Sequence, residues 1–354
     1  MTQSNSSPSL AASAVQSVQG RVITTLSFYR YVHLKDLNAL MEAMRAEWSN
    51  LGVLGRTYIA EEGINAQVSV PTENLELYQT AVRRVFPEIP FKIAVEENNE
   101  AFTKLTIKIR KKLVADGLMD ESFDVTQVGQ HLTAREFNEA MQDEGTIVVD
   151  LRNHYECEVG RFEGALLPDA NTFREALPEM IESLKGKEDQ KLLLYCTGGI
   201  RCEKASAWFK FNGFKDVNQL HGGIIDYARQ VKEEGLPTLY RGKNFVFDKR
   251  LSESITEDVL AHCHQCENAW DLHSNCRFEG CNRLFLQCPD CRTEFDACCS
   301  KTCQEIMQKP KEERVALQQE WERKGGPKHY WSKTRLPLDL VRAVRPLDEP
   351  LPVG

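Results

Sequence analysis

The sequence predicts a multidomain chain of mixed class: an α+β domain, then an α/β domain, then a small cysteine-rich module. Three observations carry this. Short alternating strands are interleaved with two amphipathic helices in 21–112, continuous apolar strands alternate with helices in 125–240, and nine of the 12 cysteines fall between Cys263 and Cys303. At 354 residues, 42% hydrophobic and 27% charged, the chain is long enough for several buried cores, and no stretch is apolar enough to span a membrane.

The first twenty residues, MTQSNSSPSLAASAVQSVQG, hold six serines and no charge. They lack the basic start and apolar run of a secretory signal, so 1–20 is expected to be a disordered tail on a cytoplasmic protein. In 21–118, VITTLSFY reads as a strand, and Leu37, Leu40, Met41, Met44 and Trp48 recur at helical spacing after about Leu34. VLGRTYIA and INAQVSV are strands joined through Glu61, Glu62 and Gly63. Leu75, Tyr78, Ala81, Val82 and Val85 mark a second helix, and the strands FKIAV and KLTIKIR follow. That order is the order of a ferredoxin-like, or acylphosphatase-like, sandwich. In KLTIKIRKK, Leu105, Ile107 and Ile109 alternate with Lys104, Thr106, Lys108 and Arg110, so one face is apolar and the other basic. With Lys111 and Lys112, this stripe is either a solvated sheet face or a contact for RNA.

Residues 125–240 change character. Thr133 and Glu136 form a capping box that opens a helix, TIVVD is a buried strand ending at Asp150, and a helix covers about 172–184. LLLYC is a second buried strand, followed by a loop, a helix with Ala205, Trp208 and Phe209 on one side, the strand VNQL and a helix after HGG. Unbroken apolar strands alternating with helices imply a doubly wound parallel sheet covered on both faces. Chemistry in such sheets sits at the carboxyl ends of the strands.

Cys196 stands at such an end, in KLLLYCTGGIRCEKAS. Gly198 and Gly199 let successive backbone N–H groups turn inward, the following helix adds its positive end, and Arg201 adds a fixed cation. These surroundings favour a thiolate. An isolated cysteine is far more often a core filler, so the setting carries the argument. Cysteine phosphatases place five residues between nucleophile and arginine; here four separate Cys196 from Arg201 and Cys202 stands where that arginine would fall, a loop too tight for phosphate. Cys196 and Arg201 are therefore the candidate catalytic pair, and Thr197, Gly198, Gly199 and Ile200 the active loop. Asp150 and Arg152 are expected to pair and brace it. Cys202 is read either as a buried thiol or as a group that resolves a sulfenate or persulfide on Cys196. Cys157 reads as scaffold.

CTGGIR resembles the active loop of the rhodanese family, C-x-x-G-x-R. VVDLRNHYECEVGRFEGALLP is similar to that family's first signature through Asp150, Arg152, Glu156, Gly160, Phe162, Gly164 and Ala165, and LHGGI resembles its last strand-to-helix turn. The likeness narrows further. CTGGIRCEKAS, EEGINAQ, FTKLTIKIRKKLV and the span from HCHQC to CCSKTC resemble the bacterial tRNA uridine hydroxylase family, over about Val22 to Cys303. This resemblance implies oxygen-dependent formation of 5-hydroxyuridine at the wobble position, with the tRNA anticodon as partner, molecular oxygen as substrate and the loop cysteine as the active residue. No flavin, nicotinamide or haem motif and no iron facial triad is evident in the sequence.

The module 241–310 contains Cys263-x2-Cys266, Cys276-x4-Cys281, Cys288-x2-Cys291, Cys298, Cys299 and Cys303. Thiolates two residues apart on a tight turn reach one ion, and four close a tetrahedron around a structural zinc at about 2.3 Å. Spacing leaves the pairing open. A cross-braced arrangement joins the first and third pairs at one ion and the second pair with Cys303 and either Cys298 or Cys299 at another; sequential pairing and a free-thiol or disulfide module are the alternatives, and His262, His264 and His273 are spare ligands. Residues 311–354 are expected to be a basic tail, with seven Lys or Arg against one acid in Arg323–Arg345 and with His329, Tyr330 and Trp331 among them. A net charge of −8 argues against a general polyanion binder and leaves room for a local basic surface.

For the uracil substrate that the hydroxylase resemblance implies, the expected mechanism is a thiolate at Cys196 adding to C6 of the unstacked base and making C5 electron-rich, with Arg201 and the loop amides holding the developing enolate. Two rivals remain. A persulfide sulfurtransferase suits the same six-residue loop, and a non-catalytic module would only recognise an anion there.

Overall fold

The structure, a computed structural model, describes residues 22–94, 102–114, 116–118, 124–168, 170, 172–248 and 250–323. The serine-rich head and the tail beyond 323, with His329, Tyr330 and Trp331, lie outside the described residues.

Period-2 alternation makes Ile23–Tyr31 strand β1, with Leu26 and Phe28 in a core and Ser27 and Tyr29 on the opposite face. Asp36 caps α1 (Leu37–Asn50), which buries Met44 and Trp48. β2 (Leu54–Ala60), β3 (Gly63–Pro71), α2 (Leu75–Val85), β4 (Lys92–Ile93) and β5 (Leu105–Ile109) complete the domain. The strands lie in the order β4-β1-β3-β2-β5. The first four are antiparallel neighbours in the ferredoxin-like order, and β5 joins the β2 edge in parallel. Trp48 and Tyr78 meet edge-on at 5.1 Å and pack with Phe28, Val68 and Ile107. Both helices therefore cover one face of the sheet and leave the face of Ser27, Tyr29 and Lys92 for another partner.

The second domain runs β6 (Gln130–Leu132), α3 (Ala134–Ala140), β7 (Ile147–Asp150), α4 (His154–Glu158), β8 (Gly160–Phe162), α5 (Phe173–Ser183), β9 (Lys191–Tyr195), α6 (Ile200–Phe211), β10 (Asp216–Leu220) and α7 (Gly223–Glu234). Its sheet, β6-β10-β9-β7, is parallel throughout. Alternation explains the unbroken apolar run of β9. Leu192 and Leu194 meet Leu177, Met180 and Phe209 on one face, and Leu193 and Tyr195 meet Phe137, Ile224 and Tyr227 on the other.

The last part begins with β11 (Tyr240–Phe245), which lies between β8 and β12 (Ser252–Ser254) in a three-stranded sheet and so ties the module to the parallel domain. β13 (His273–Asn275) and β14 (Leu284–Leu286) form a hairpin, followed by α8 (Pro289–Glu294), α9 (Lys301–Gln308) and α10 (Lys311–Arg323). Helix α10 corrects the expectation of a tail from 311 onward. Glu312 and Glu313 in its first turn and Arg323 in its last complement the helix dipole. No described helix is long and apolar enough to cross a membrane.

The N-terminal domain docks through charge. Lys204 of α6, 2% exposed, reaches Glu62 of the β2–β3 turn at 3.0 Å and also pairs with Asp116. The Leu113 N–H donates to Glu62 Oε1 at 2.6 Å. The motifs EEGINAQ, KKLV and CEKAS thus converge on one junction.

Candidate active site

Strand β9 ends at Tyr195, and the loop Cys196–Gly199 leads into α6. Gly199, the residue before that helix, has φ 92, where a Cβ would stand 2.8 Å from the Tyr29 hydroxyl. Its N–H donates to Cys196 Sγ at 3.1 Å. Burial pushes the Cys196 thiol up, but a hydrogen bond from the Cys202 thiol, the Arg201 charge and the N–H groups of Cys202 and Arg201 outweigh it, bringing the pKa down to about 6. Cys202 itself is held well above an ordinary thiol, by burial first and by the neighbouring sulfur second, so it stays a protonated donor.

The loop is fixed from below. The Ile224 and Ile225 N–H groups donate to Cys196 O at 3.0 Å and Thr197 O at 3.2 Å, so the HGGI turn cradles the loop. A Cβ on Gly223 would lie 2.6 Å from Cys196 O and 2.7 Å from Thr197 O.

Arg201, read from the sequence as a fixed cation near the sulfur, is fixed by a carboxylate. Its guanidinium is clamped by Glu156 in two parallel bonds of 2.7 Å and touches Thr197 Oγ1 at 3.3 Å. The fork geometry satisfies both partners inside the protein and leaves the side chain little freedom to follow a substrate. Asp150 and Arg152 pair through Arg152 Nε to Oδ1 at 2.9 Å and Nη2 to Oδ2 at 2.7 Å, both fully buried. Arg152 also donates to Gly160 O at 2.6 Å and to Glu156 O at 3.3 Å. The brace therefore reaches the loop through Glu156. Glu156 stood in the sequence only as a member of the signature, and its role was missed because its partners lie 41 and 45 residues away.

A cavity of about 380 Å³ opens over Cys196, within the range of small-ligand pockets. All three parts of the chain wall it. Ser27, Tyr29, Tyr58, Asn65, Gln67 and Lys92 come from the N-terminal sheet, Tyr155, Thr197, Gly198, Ile200 and Arg201 from the parallel domain, and Phe247 and Arg250 from the C-terminal part. The face of the N-terminal sheet left bare by its helices is the roof of this cavity. Tyr29 donates to Glu203 Oε1 at 2.9 Å, and Lys92 donates to Gly198 O at 2.5 Å while lying 4.0 Å from the Tyr29 ring centre. Neither residue carried a sequence signal, because a strand pattern does not tell which domain its polar face meets.

Lys104, Lys108, Arg110, Lys111 and Lys112 are all exposed. Arg110 lies 4.9 Å over the ring of Tyr58, at the cavity wall. Lys112 is tied down instead, donating to Asp116 Oδ1 at 2.9 Å and Leu118 O at 2.6 Å.

The cysteine-rich part holds two groups, Cys263, Cys266, Cys288 and Cys291, and Cys276, Cys281, Cys299 and Cys303, with the sulfurs of each within 4.8 Å of one another. Separations of 3.5 Å for Cys266–Cys288, 3.6 Å for Cys281–Cys299 and 3.8 Å for Cys299–Cys303 are close to the edge of about 3.8 Å that a zinc tetrahedron with 2.3 Å bonds has. The arrangement is cross-braced. Cys298 belongs to neither group; its Sγ–H turns to Asp296 O at 3.5 Å, while Cys299 faces the cluster. His264 pairs with Glu158 at 2.7 Å, and none of His262, His264 and His273 lies in either group.

A buried thiolate on a six-residue loop at the end of a parallel strand, roofed by an antiparallel sheet, defines an activated-thiol protein of rhodanese type with an added acylphosphatase-like domain. Family models agree: an acylphosphatase-like domain matches residues 23–113, a rhodanese-like domain 133–230 and a rhodanese C-terminal domain 241–304. A protein of Leptospira interrogans named tRNA uridine(34) hydroxylase is 54% identical over 317 residues, covering 88% of this chain and 85% of its own. One of the same name from Yersinia enterocolitica is 47% identical, covering 83% and 85%. The chain belongs to the tRNA uridine(34) hydroxylase family. Among solved structures, a rhodanese-like domain protein from Staphylococcus aureus is 20% identical over 28% of this chain and 90% of its own, with a TM-score of 0.24.

Proposed function

We propose that this protein hydroxylates the wobble uridine, position 34, of tRNA to 5-hydroxyuridine, with molecular oxygen as co-substrate and Cys196 as nucleophile. The observation that carries the reading is the thiol held near pKa 6 at the floor of a roofed cavity, in a chain whose relatives bear that name over most of their length. The thiolate adds to C6 of the base, and the ring electrons move toward C5 and the C4 carbonyl oxygen, which makes C5 the site of oxygenation. An anticodon base is already single-stranded, so its entry costs little unstacking. The loop N–H groups hold the sulfur, Glu156 holds Arg201, and Cys202 serves as hydrogen-bond donor to the thiolate. Lys104, Lys108, Arg110 and Lys111 form the RNA-facing stripe beside the cavity mouth, with Lys112 pinning the strand's exit. Each cysteine quartet holds a structural zinc, because four sulfurs leave no open position for catalysis.

The test is incubation of purified protein with unmodified tRNA under air and under nitrogen, followed by nucleoside mass spectrometry. An oxygen-bearing uridine formed under air, absent under nitrogen and absent with Cys196→Ser, is expected. Thiocyanate formation from thiosulfate and cyanide, with no new oxidised nucleoside, would instead make the protein a sulfurtransferase.

A further inference from the structure

The cavity has three cations on its wall, Lys92, Arg201 and Arg250. Two are already consumed by carboxylates. Arg201 is clamped by Glu156, and Arg250 is held by Asp248 at 2.6 Å and paired with Glu253. Lys92 has no carboxylate within salt-bridge distance among the described residues. It is only 7% exposed, and the charge that most offsets the cost of burying its ammonium is the Cys196 thiolate, the charge that leaves the sulfur when the adduct forms.

Its contacts leave capacity over. An ammonium has three N–H donors. One goes to Gly198 O in the active loop, and a second direction is covered by the Tyr29 ring. Strand β4 fixes the residue by pairing Lys92 with Ser27 and Ile93 with Leu26, so the stem enters from the roof and the head meets the loop.

We propose that Lys92 is a catalytic residue, whose ammonium takes up the negative charge that appears on the substrate's carbonyl oxygen when the Cys196 thiolate adds to the ring. The step balances without an oxidant. The S–C6 bond forms, the C5–C6 π pair shifts toward C4, the C4–O4 π pair becomes an enolate lone pair on O4, and Lys92 donates a hydrogen bond to that oxygen. This rests on the hydroxylase reading above and replaces Arg201 in the role the sequence suggested for it. The N-terminal domain thereby becomes part of the catalytic machinery.

The groups around Lys92 set the pH range over which its ammonium exists. Burial lowers its pKa to about 8, opposed by the thiolate of Cys196, by Glu203 on α6, by Asp226 on α7 and by Cys202 on α6. Tyr29 on β1 stays neutral because burial raises it, and His221 before α7 stays largely neutral because burial lowers it. The cationic form is therefore available at neutral pH and is lost as the pH rises past about 8.

The experiment compares wild type, Lys92→Met and Cys196→Ser on unmodified tRNA under air. Lys92→Met is expected to lower kcat by about 100-fold or more, the size seen when one oxyanion donor is removed, with KM for tRNA unchanged. The alkaline limb of kcat/KM near pH 8 is expected to disappear. Alkylation of Cys196 by iodoacetamide needs no tRNA and serves as the check on the loop; at about pH 9, where the sulfur is ionised with or without the Lys92 charge, it is expected to keep its rate within about threefold. Full activity in Lys92→Met with an inactive Cys196→Ser overturns the role of Lys92 alone. A persisting alkaline limb, or alkylation lost with activity, also overturns it, the latter making Lys92 scaffold. An active Cys196→Ser would overturn the nucleophile on which both readings stand.

Discussion

The ionisation of Cys196 admits the most quantitative test. Its pKa is held near 6 against 9.0 for an ordinary thiol, a gap worth about 4 kcal/mol at about 1.4 kcal/mol per pKa unit. At neutral pH about nine in ten sulfurs are then ionised, against about one in a hundred for an unperturbed cysteine. The folded pKa is the depressed one, so the unfolded chain binds the proton more tightly. The stabilisation is complete above about pH 9, shrinks as the pH falls and is gone below about pH 6. Two measurements follow from one cause. Peptide-resolved alkylation of Cys196 by iodoacetamide is expected to rise with a midpoint near pH 6. The difference in urea stability between wild type and Cys196→Ser is expected to grow by about 4 kcal/mol between about pH 6 and pH 9. An alkylation midpoint above about pH 8, or a difference that stays flat with pH, would refute the account of the loop as a thiolate cradle.

The other sites yield sharper, smaller tests. Metal analysis is expected to find zinc in both cysteine groups; Cys281→Ser should empty the second, and Cys298→Ser should lose none, since that thiol lies outside both. Gly223→Ala, at φ +68 with its Cβ 2.6 Å from Cys196 O, should cost about 1–3 kcal/mol by thermal unfolding and lower activity sharply; unchanged activity would mean the loop is not seated on this turn. Glu156→Gln should cost about 3 kcal/mol, the range for weakening a buried charged hydrogen bond, and slow the reaction without weakening tRNA binding. The pair Lys108→Glu and Arg110→Glu should raise KM for tRNA and flatten its dependence on salt by a slope of about 2, leaving kcat in place.

What the sequence revealed was what neighbouring residues decide. The apolar run of β9, the glycines after Cys196 and the capping box at Thr133 are local patterns, and each forms the element those patterns imply. The cross-braced cysteines were within reach because paired spacing limits the choices, yet the difference between Cys298 and Cys299 was not. Adjacent residues differ there only in direction: the Cys299 sulfur lies in the second group, and the Cys298 thiol turns to Asp296 O. The partner of Arg201 was hidden by 45 residues of separation. Lys92 was hidden by register, since only its pairing with Ser27 turns an ordinary strand lysine toward the loop. Helix α10 went unread because the charge count behind the basic tail was taken over Arg323–Arg345, whereas KEERVALQQEWER, which precedes most of that stretch, is built mostly of strong helix formers.

The loop alone does not choose the chemistry. A six-residue cradle that ionises a sulfur serves a persulfide as well as a carbon adduct, and its arginine is here committed to Glu156. What distinguishes this chain is the packing above the loop. The polar face of the N-terminal sheet brings Tyr29 and Lys92 onto the loop from one side, Lys204 locks that domain to α6 through Glu62 and Asp116, and Phe247 and Arg250 close the third side. Burial of the sulfur under this roof strengthens each charge within the cavity and limits quenching by bulk water of a charge that has just formed. Selection among the chemistries open to an activated thiol thus lies in the domain placed on top of it.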